Sequence, residues 1–308
     1  MSEIFQKTLS ETIAFSGIGL HSGKRSNIKL IPADEDSGIV FKRTDLTKNN
    51  TIKANFENVT STRLCTTLEN KSGVKVSTVE HLLAAIYIAG IDNTIIEIDN
   101  DEVPIMDGSS KDFLNAINET QIKIQSKKRK YLKVTDIIEL EDGNRKIAIE
   151  PHDTSLEVSF KLNYDNEIIG NQQNVVNFYK DNLEDVSSSR TFCLYEDIEK
   201  IKKAGLAKGG SLDNAVVVAK DKVLNEEGLR NNKEFVNHKI LDLAGDFMLS
   251  GYRIIGKVKC VGGGHELTNM LIRKIFKTNF KFSVIELDKI LVKKINNTNE
   301  QARIAVNA

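Results

Sequence analysis

His238, Asp242 and Asp246 recur at four-residue steps within the stretch Glu234–Ser250, and Lys239 stands beside the first of them. On a helix, i and i+4 side chains stack about 5–6 Å apart at Cβ, so an imidazole and a carboxylate there can grip one divalent ion. Read alone, a His-x-x-x-Asp is more often a solvated helix face, and the other histidines have to decide. Of the five, only His152 lies outside a distinctive local sequence. Glu80 and His81 stand directly before Leu82-Leu-Ala-Ala85, a polar pair that is costly to bury without partners. His81, His238 and Asp242 make the set of two histidines and one carboxylate typical of catalytic zinc, which keeps a coordination position open for water. Glu80 is then available as the base for that water, and His265 as an acid or oxyanion partner. Plainer roles compete. Ser77 and Glu80 have capping-box spacing, and His81 could be a satisfied, half-buried histidine. A structural zinc would need a fourth strong ligand, and none presents itself.

Two helices must carry these groups. Val236, Ile240, Leu243, Ala244 and Phe247 form an apolar face along the first. Val79, Leu82, Leu83 and Ile86 do the same around His81, and Gly90 is a natural stop. The glycine-rich turn Ser16-Gly-Ile-Gly-Leu-His-Ser-Gly23 could present backbone N–H groups and His21 to an anion such as a phosphate, or be a plain hairpin connection. Strand-like runs cover Asn27–Ile31, Gly38–Lys42, Arg63–Leu68, Asn93–Asp99, Tyr131–Leu140, Arg145–Glu150, Leu156–Leu162, Ser187–Cys193, Asn214–Lys220 and Tyr252–Cys260. Shorter helices are expected at Lys111–Asn118 and Asp197–Ala204, and another begins at His265. The charged run Gln125–Lys130 reads as a linker, and the polar tail beyond about Lys293 as frayed. The order helix, apolar strand, turn, helix occurs after His81 and again after His238. The expected fold class is therefore α+β, with two similarly folded layered domains, residues 1–126 and 127–308, facing each other across the metal.

Composition limits the alternatives. The 308 residues carry 43 basic and 43 acidic side chains, a balance that argues against bulk electrostatic binding to nucleic acid. With 40% apolar residues the chain reads as globular. Cys65, Cys193 and Cys260 are odd in number and far apart, which fits a reducing compartment and no disulfide framework. No apolar run approaches the 18 or so residues of a membrane span. The expectation is a cytoplasmic monomer without an integral membrane segment; peripheral contact with the inner membrane stays open. A different zinc amidohydrolase, and a non-catalytic nucleotide- or RNA-binding protein, are the competing readings.

Several longer motifs then fall in one order: Ser16–Gly23, Ser77-Thr-Val-Glu-His-Leu82, Val103-Pro-Ile-Met-Asp-Gly-Ser109, Ser189-Arg-Thr-Phe192, Gly209-Gly-Ser211, His238-Lys-Ile-Leu-Asp242 and Gly264-His265. Together they resemble the UDP-3-O-acyl-N-acetylglucosamine deacetylase (LpxC) family over about residues 4–290. The resemblance implies Zn²⁺ held by His81, His238 and Asp242, Glu80 as general base, and His265 as the cationic partner of the oxyanion and leaving amine. It further implies that Thr191 donates to the oxyanion, that Lys239 and Phe192 touch substrate, and that Asp246 orients and charges His265. His21 would lie near the nucleotide phosphates. A β-α-β insertion at about 193–220 would form a passage for the one fatty acyl chain of a UDP-sugar substrate, with Leu206, Ala207, Leu212 and Val217 in its wall. Gly262-Gly263 and Ser187–Ser189 depart from the family's usual residues before its Gly-His and its Arg-Thr-Phe.

Overall fold

The computed structural model describes residues 4–278 and 280–288. The first half contains Phe5–Leu9 (β1), Ile13–Ile18 (β2), Arg25–Pro32 (β3), Ile39–Arg43 (β4) and Thr51–Lys53 (β5). A small meander of Val59–Ser61 (β6), Thr67–Glu69 (β7) and Lys75–Val76 (β8) leads into the helix Glu80–Ala89 (α1). Thr94–Ile98 (β9), Lys111–Glu119 (α2) and Ile122–Lys128 (β10) complete it. The second half runs through Lys130–Val134 (β11), Ile138–Asp142 (β12), Arg145–Glu150 (β13), Leu156–Asn163 (β14), Asn171–Asn177 (β15) and Glu184–Ser187 (α3). Phe192–Leu194 (β16), Ile198–Lys203 (α4), Val216–Val218 (β17), Glu234–Met248 (α5), Arg253–Val261 (β18), His265–Lys277 (α6) and Phe282–Glu286 (β19) follow.

The two halves repeat one topology, and the fold is α+β. In the first sheet, ordered β2-β3-β9-β4-β5, strand β9 runs antiparallel to β3 and parallel to β4. In the second, β18 runs antiparallel to β13 and parallel to β14, and β12 and β15 take the flanking places. The pair β1–β10 is matched by β11–β19, both antiparallel. Among the described residues, no sheet mixes strands from before and after Arg129. Alternation explains the sheets: in β3, for example, Ile28 and Leu30 are buried while Asn27 and Lys29 face water. Between Phe192 and Val218 the parallel pair β16–β17, with α4 in its connection, forms a β-α-β insertion.

α1 and α5 pack against each other and bury nearly all of their residues. A solvated polar face on α5 is thus overturned: His238, Asp242 and Asp246 are all buried. The crossing is close because Gly245 has no side chain; a Cβ there would overlap the carbonyl oxygen of Glu80. Gly245→Ala is expected to destabilise the protein by about 3 kcal/mol, the upper range for overpacking, and to lower activity by shifting Glu80. A urea midpoint unchanged from wild type would contradict this. At the other end of α1, Gly90 ends the helix in the left-handed conformation at φ 76°. There the buried Arg253 of β18 donates to the carbonyls of Ile86, Tyr87 and Ile91, which pins the first half's helix to the second half's central strand.

Some expectations change. Gln125–Lys130 is not a linker: residues up to Lys128 belong to β10, where lysines suit a solvent-facing strand. Arg63–Leu68 is mostly a turn, with Leu64 at φ 63°. Ser187 still belongs to α3 and the strand begins only at Phe192, with turn and irregular backbone between them, and Tyr131–Leu140 divides into β11 and β12. The tail beyond Lys293 lies outside the described residues.

Candidate active site

The site forms where α1, α5 and the start of α6 converge. Glu80 and His81 open α1, and the capping-box role does not hold: Glu80 Oε2 instead accepts the Thr66 N–H at 3.0 Å. His238 and Asp242 lie one turn apart on α5, and His265 is the first residue of α6. Asp242 Oδ1 sits 3.6 Å from His81 Nε2 and 3.4 Å from His238 Nε2. These are too long for hydrogen bonds, and Asp242 Oδ1 has no hydrogen-bond partner although it is buried. Yet they match the ligand–ligand edge of about 3.3 Å expected for a tetrahedral ion with bonds of about 2.0–2.1 Å. The three donor atoms lie within 4.8 Å of one another, and among the described residues this is the one such cluster of His, Cys, Asp or Glu. The residues therefore fit a metal ion.

The neighbours hold these donors in place. His238 Nδ1 donates to the Ser189 carbonyl at 3.0 Å, turning Nε2 toward the cluster, as metal-binding histidines commonly require. Ser189 is fixed in turn by its neighbour, because the buried Arg190 pairs with Glu234 at the start of α5 at 2.8 Å. The Thr191 N–H donates to the Gly108 carbonyl at 2.8 Å, so the turn at Val103–Ser109 docks this strap. Burial pushes the His238 pKa down to about 3, helped by His81 and Lys239 and opposed by Asp242. The ring is neutral at pH 7, and metal binding there displaces no proton from it. Burial works against the Asp242 charge too, but His238, Lys239 and His265 outweigh it and hold the carboxyl well below its ordinary range.

A second polar chain runs behind the cluster. Thr66 Oγ1 donates to Asp246 Oδ1 at 2.7 Å, and His265 Nδ1 lies 2.8 Å from Asp246 Oδ2. His265 Nε2 is 3.7 Å from Glu80 Oε1 and 4.0 Å from Asp242 Oδ2. Burial and the helix N-terminus both disfavour an imidazolium. Asp246, Asp242 and Glu80 overcome the burial and raise the pKa to about 10. For Glu80 burial dominates and raises the carboxyl above its ordinary value, with Asp242 and Asp246 adding to the effect and His265 and His81 opposing it. Lys239 Nζ lies 2.8 Å from Asp242 Oδ2 and 5.4 Å from the Phe192 ring centroid.

Thr191 and Phe192 lead from the cluster into a largely apolar cavity of about 340 Å³ within the insertion. Ala207, Leu212, Val217 and His21 line it, whereas Leu206 does not. Thr66 and Glu102 were not singled out from the sequence, and Ser189 only as part of a motif. Glu102, buried, accepts the N–H groups of His21 and Ser22 and the Thr78 hydroxyl. The one available signal was its place just before the Val103–Ser109 motif.

The LpxC family, described as UDP-3-O-acyl N-acetylglycosamine deacetylase, matches residues 6–277 by its sequence profile. The UDP-3-O-acyl-N-acetylglucosamine deacetylase of Geotalea uraniireducens is 44% identical over 284 residues, covering 92% of each chain. The protein of that name from Citrifermentans bemidjiense is 43% identical over the same length. The one from Shewanella frigidimarina is 40% identical over 289 residues, covering 93% of this chain and 94% of its own. With the catalytic-type donor cluster and the matched length taken together, this chain belongs to the LpxC family of deacetylases.

Proposed function

We propose that the protein hydrolyses the acetamide of a UDP-3-O-(3-hydroxyacyl)-N-acetylglucosamine, releasing acetate and UDP-3-O-acyl-glucosamine, the committed step of lipid A biosynthesis. We read it as a zinc-dependent cytoplasmic monomer of two domains, residues 1–126 and 127–308. The observation that carries this reading is the partnerless Asp242 Oδ1 between two imidazole Nε2 atoms, beside the Glu80–His265 pair. Two imidazoles and a carboxylate suit Zn²⁺. When bound, the ion would supply Lewis acidity toward the acetamide carbonyl and make water acidic enough to act near neutral pH.

The chain's own groups do the rest. Glu80, desolvated and held by the Thr66 N–H, takes the proton of the attacking water. The negative charge that develops on the carbonyl oxygen is met by the Thr191 hydroxyl and by His265 in its protonated form. His265 then donates from Nε2 to the glucosamine nitrogen, and Asp246 on Nδ1 keeps the ring aligned and charged. Lys239 and Phe192 contact the substrate near the ligands. Ala207, Leu212 and Val217 shelter the acyl chain, with Leu206 at the margin of that segment.

The rate should follow a bell-shaped pH profile. Activity falls on the acid side as Glu80 is protonated, above the usual carboxylate range, and on the alkaline side as His265 loses its proton. The His265 value of about 10 would be pulled down by a dication on Asp242. Asp246→Asn removes the nearest anion, so the alkaline limb should move a further 1–3 units or so toward acid. An alkaline limb unmoved in that variant would count against His265 as the acid. The decisive assay for the reaction is mass spectrometry after incubation with UDP-3-O-acyl-GlcNAc, before and after chelation and zinc return. Loss of one acetyl group, only with metal, is expected; an intact substrate with zinc-loaded enzyme would point to a different amidohydrolase.

A further inference from the structure

Glu80 and His265 must act on one reacting centre, yet they come from different halves of the chain, Glu80 opening α1 and His265 opening α6. The 3.7 Å between Glu80 Oε1 and His265 Nε2 is longer than a hydrogen bond, so no direct bond sets their spacing. Both are fixed from behind instead, and the fixing groups meet in one residue. The Thr66 N–H donates to Glu80 Oε2 at 3.0 Å, and the Thr66 hydroxyl donates to Asp246 Oδ1 at 2.7 Å. The other oxygen, Asp246 Oδ2, lies 2.8 Å from His265 Nδ1. With one contact on each oxygen, the Asp246 carboxylate cannot turn without losing one of them. The hydroxyl bond also crosses from the first half of the chain to the second, as the base and the acid do.

The loop that carries Thr66 keeps it still. Thr66 is buried, with Cys65 before it and Leu68 after it buried as well, and β7 begins at Thr67, paired on both sides by β6 and β8. Leu64, two residues before Thr66, stands at φ 63°, and Thr78, two residues before Glu80, at φ 56°. Neither is glycine, and backbone of this kind persists where the surroundings over-determine it. For Thr78 one such restraint is its own hydroxyl, which donates to the buried Glu102 at 2.9 Å. The two stretches that meet at Glu80 are thus both held in strained form, which suits precise placement more than simple filling of the core. We propose that Thr66 is the positioning residue that fixes the distance between base and acid, holding Glu80 through its N–H and His265 through its hydroxyl on Asp246. This rests on the deacetylase reading above.

The test compares Thr66→Val, which keeps the N–H and the side-chain volume but loses the hydroxyl, with Thr66→Ser, which keeps the hydroxyl and loses the methyl. Acetate release is counted per bound zinc, so that a loss of folded or loaded protein drops out. In Thr66→Val kcat should fall by about 10–100-fold, the range for a hydrogen bond to a charged group, while KM stays close to wild type. Thr66→Ser should recover most of kcat. A packing role predicts the opposite order, since serine removes buried apolar surface and valine does not. A wild-type kcat in Thr66→Val, or serine the poorer of the two, overturns the proposal. A second readout needs no turnover. The His265 Nδ1 proton, donated to Asp246, should give a low-field NMR resonance in zinc-loaded protein without substrate, assigned by its loss in His265→Ala. It should broaden into exchange with water in Thr66→Val and persist in Thr66→Ser; an unchanged resonance in Thr66→Val also overturns the proposal. If wild type released no acetate, the deacetylase reading would fall, and the resonance would still judge Thr66.

Discussion

Asp242→Asn protein is expected to emerge from gel filtration without its metal and with less than about 0.1% of wild-type activity. The carboxylate supplies one of three donors, and its partnerless Oδ1 is the atom that faces both imidazoles. An amide oxygen in that place is a weak ligand for a borderline ion. If the ion contributes several kcal/mol to the transition state, its loss is worth about 10³-fold, since each 1.4 kcal/mol or so is tenfold. A second effect acts in the same direction. Lys239 Nζ rests on Asp242 Oδ2 at 2.8 Å, and the substitution leaves that ammonium without its anion. Elemental analysis beside acetate release checks both effects. Full metal content with unimpaired turnover would remove Asp242 from the site.

Glu80→Gln should separate chemistry from architecture. Glutamine keeps the volume and can still accept the Thr66 N–H, so metal content and KM should remain close to wild type. The water's proton loses its acceptor, and kcat should fall by about 10²–10⁴-fold. Stability should move the other way. Burial raises the folded-state pKa of Glu80, so above the ordinary value of 4.5 the ionised carboxylate costs the fold free energy. That cost is present at neutral pH and disappears as pH falls below the unfolded value. A neutral glutamine removes it, and Tm should hold or rise. A kcat within threefold of wild type would falsify the role of general base.

The chemistry-bearing helices were legible because helical spacing constrains side chains strongly. Residues four apart must share a face, so His238 and Asp242 were identified as a pair without knowledge of the rest of the fold. His81 and His265 were harder, being joined to that pair only through α1–α5 packing and the turn after β18. Three things escaped the sequence. Lys127 and Lys128 disguised β10, because its pairing to β1 rests on backbone hydrogen bonds that do not depend on side-chain polarity. Thr66 touches Glu80 and Asp246 across more than a dozen and nearly two hundred positions of chain, respectively, distances at which no local pattern operates. Gly245 reads as a weak point in a helix, and only the Glu80 carbonyl packed against it shows why no side chain can be there.

The repeat of one topology in both halves has a chronological consequence. One metal donor stands in α1 and the other two in α5, on either side of the chain's midpoint. During synthesis the first sheet and α1 leave the ribosome long before α5 exists, and domains tend to fold as they emerge. The early nascent chain thus exposes a single ligand of the three and has little means of capturing an ion. Capture waits for a contact that joins the two halves of the chain, a slow class of event, and from then on the ion binds only the assembled state. Metal uptake would then act as the last checkpoint of biogenesis, reporting that both copies of the repeat have met.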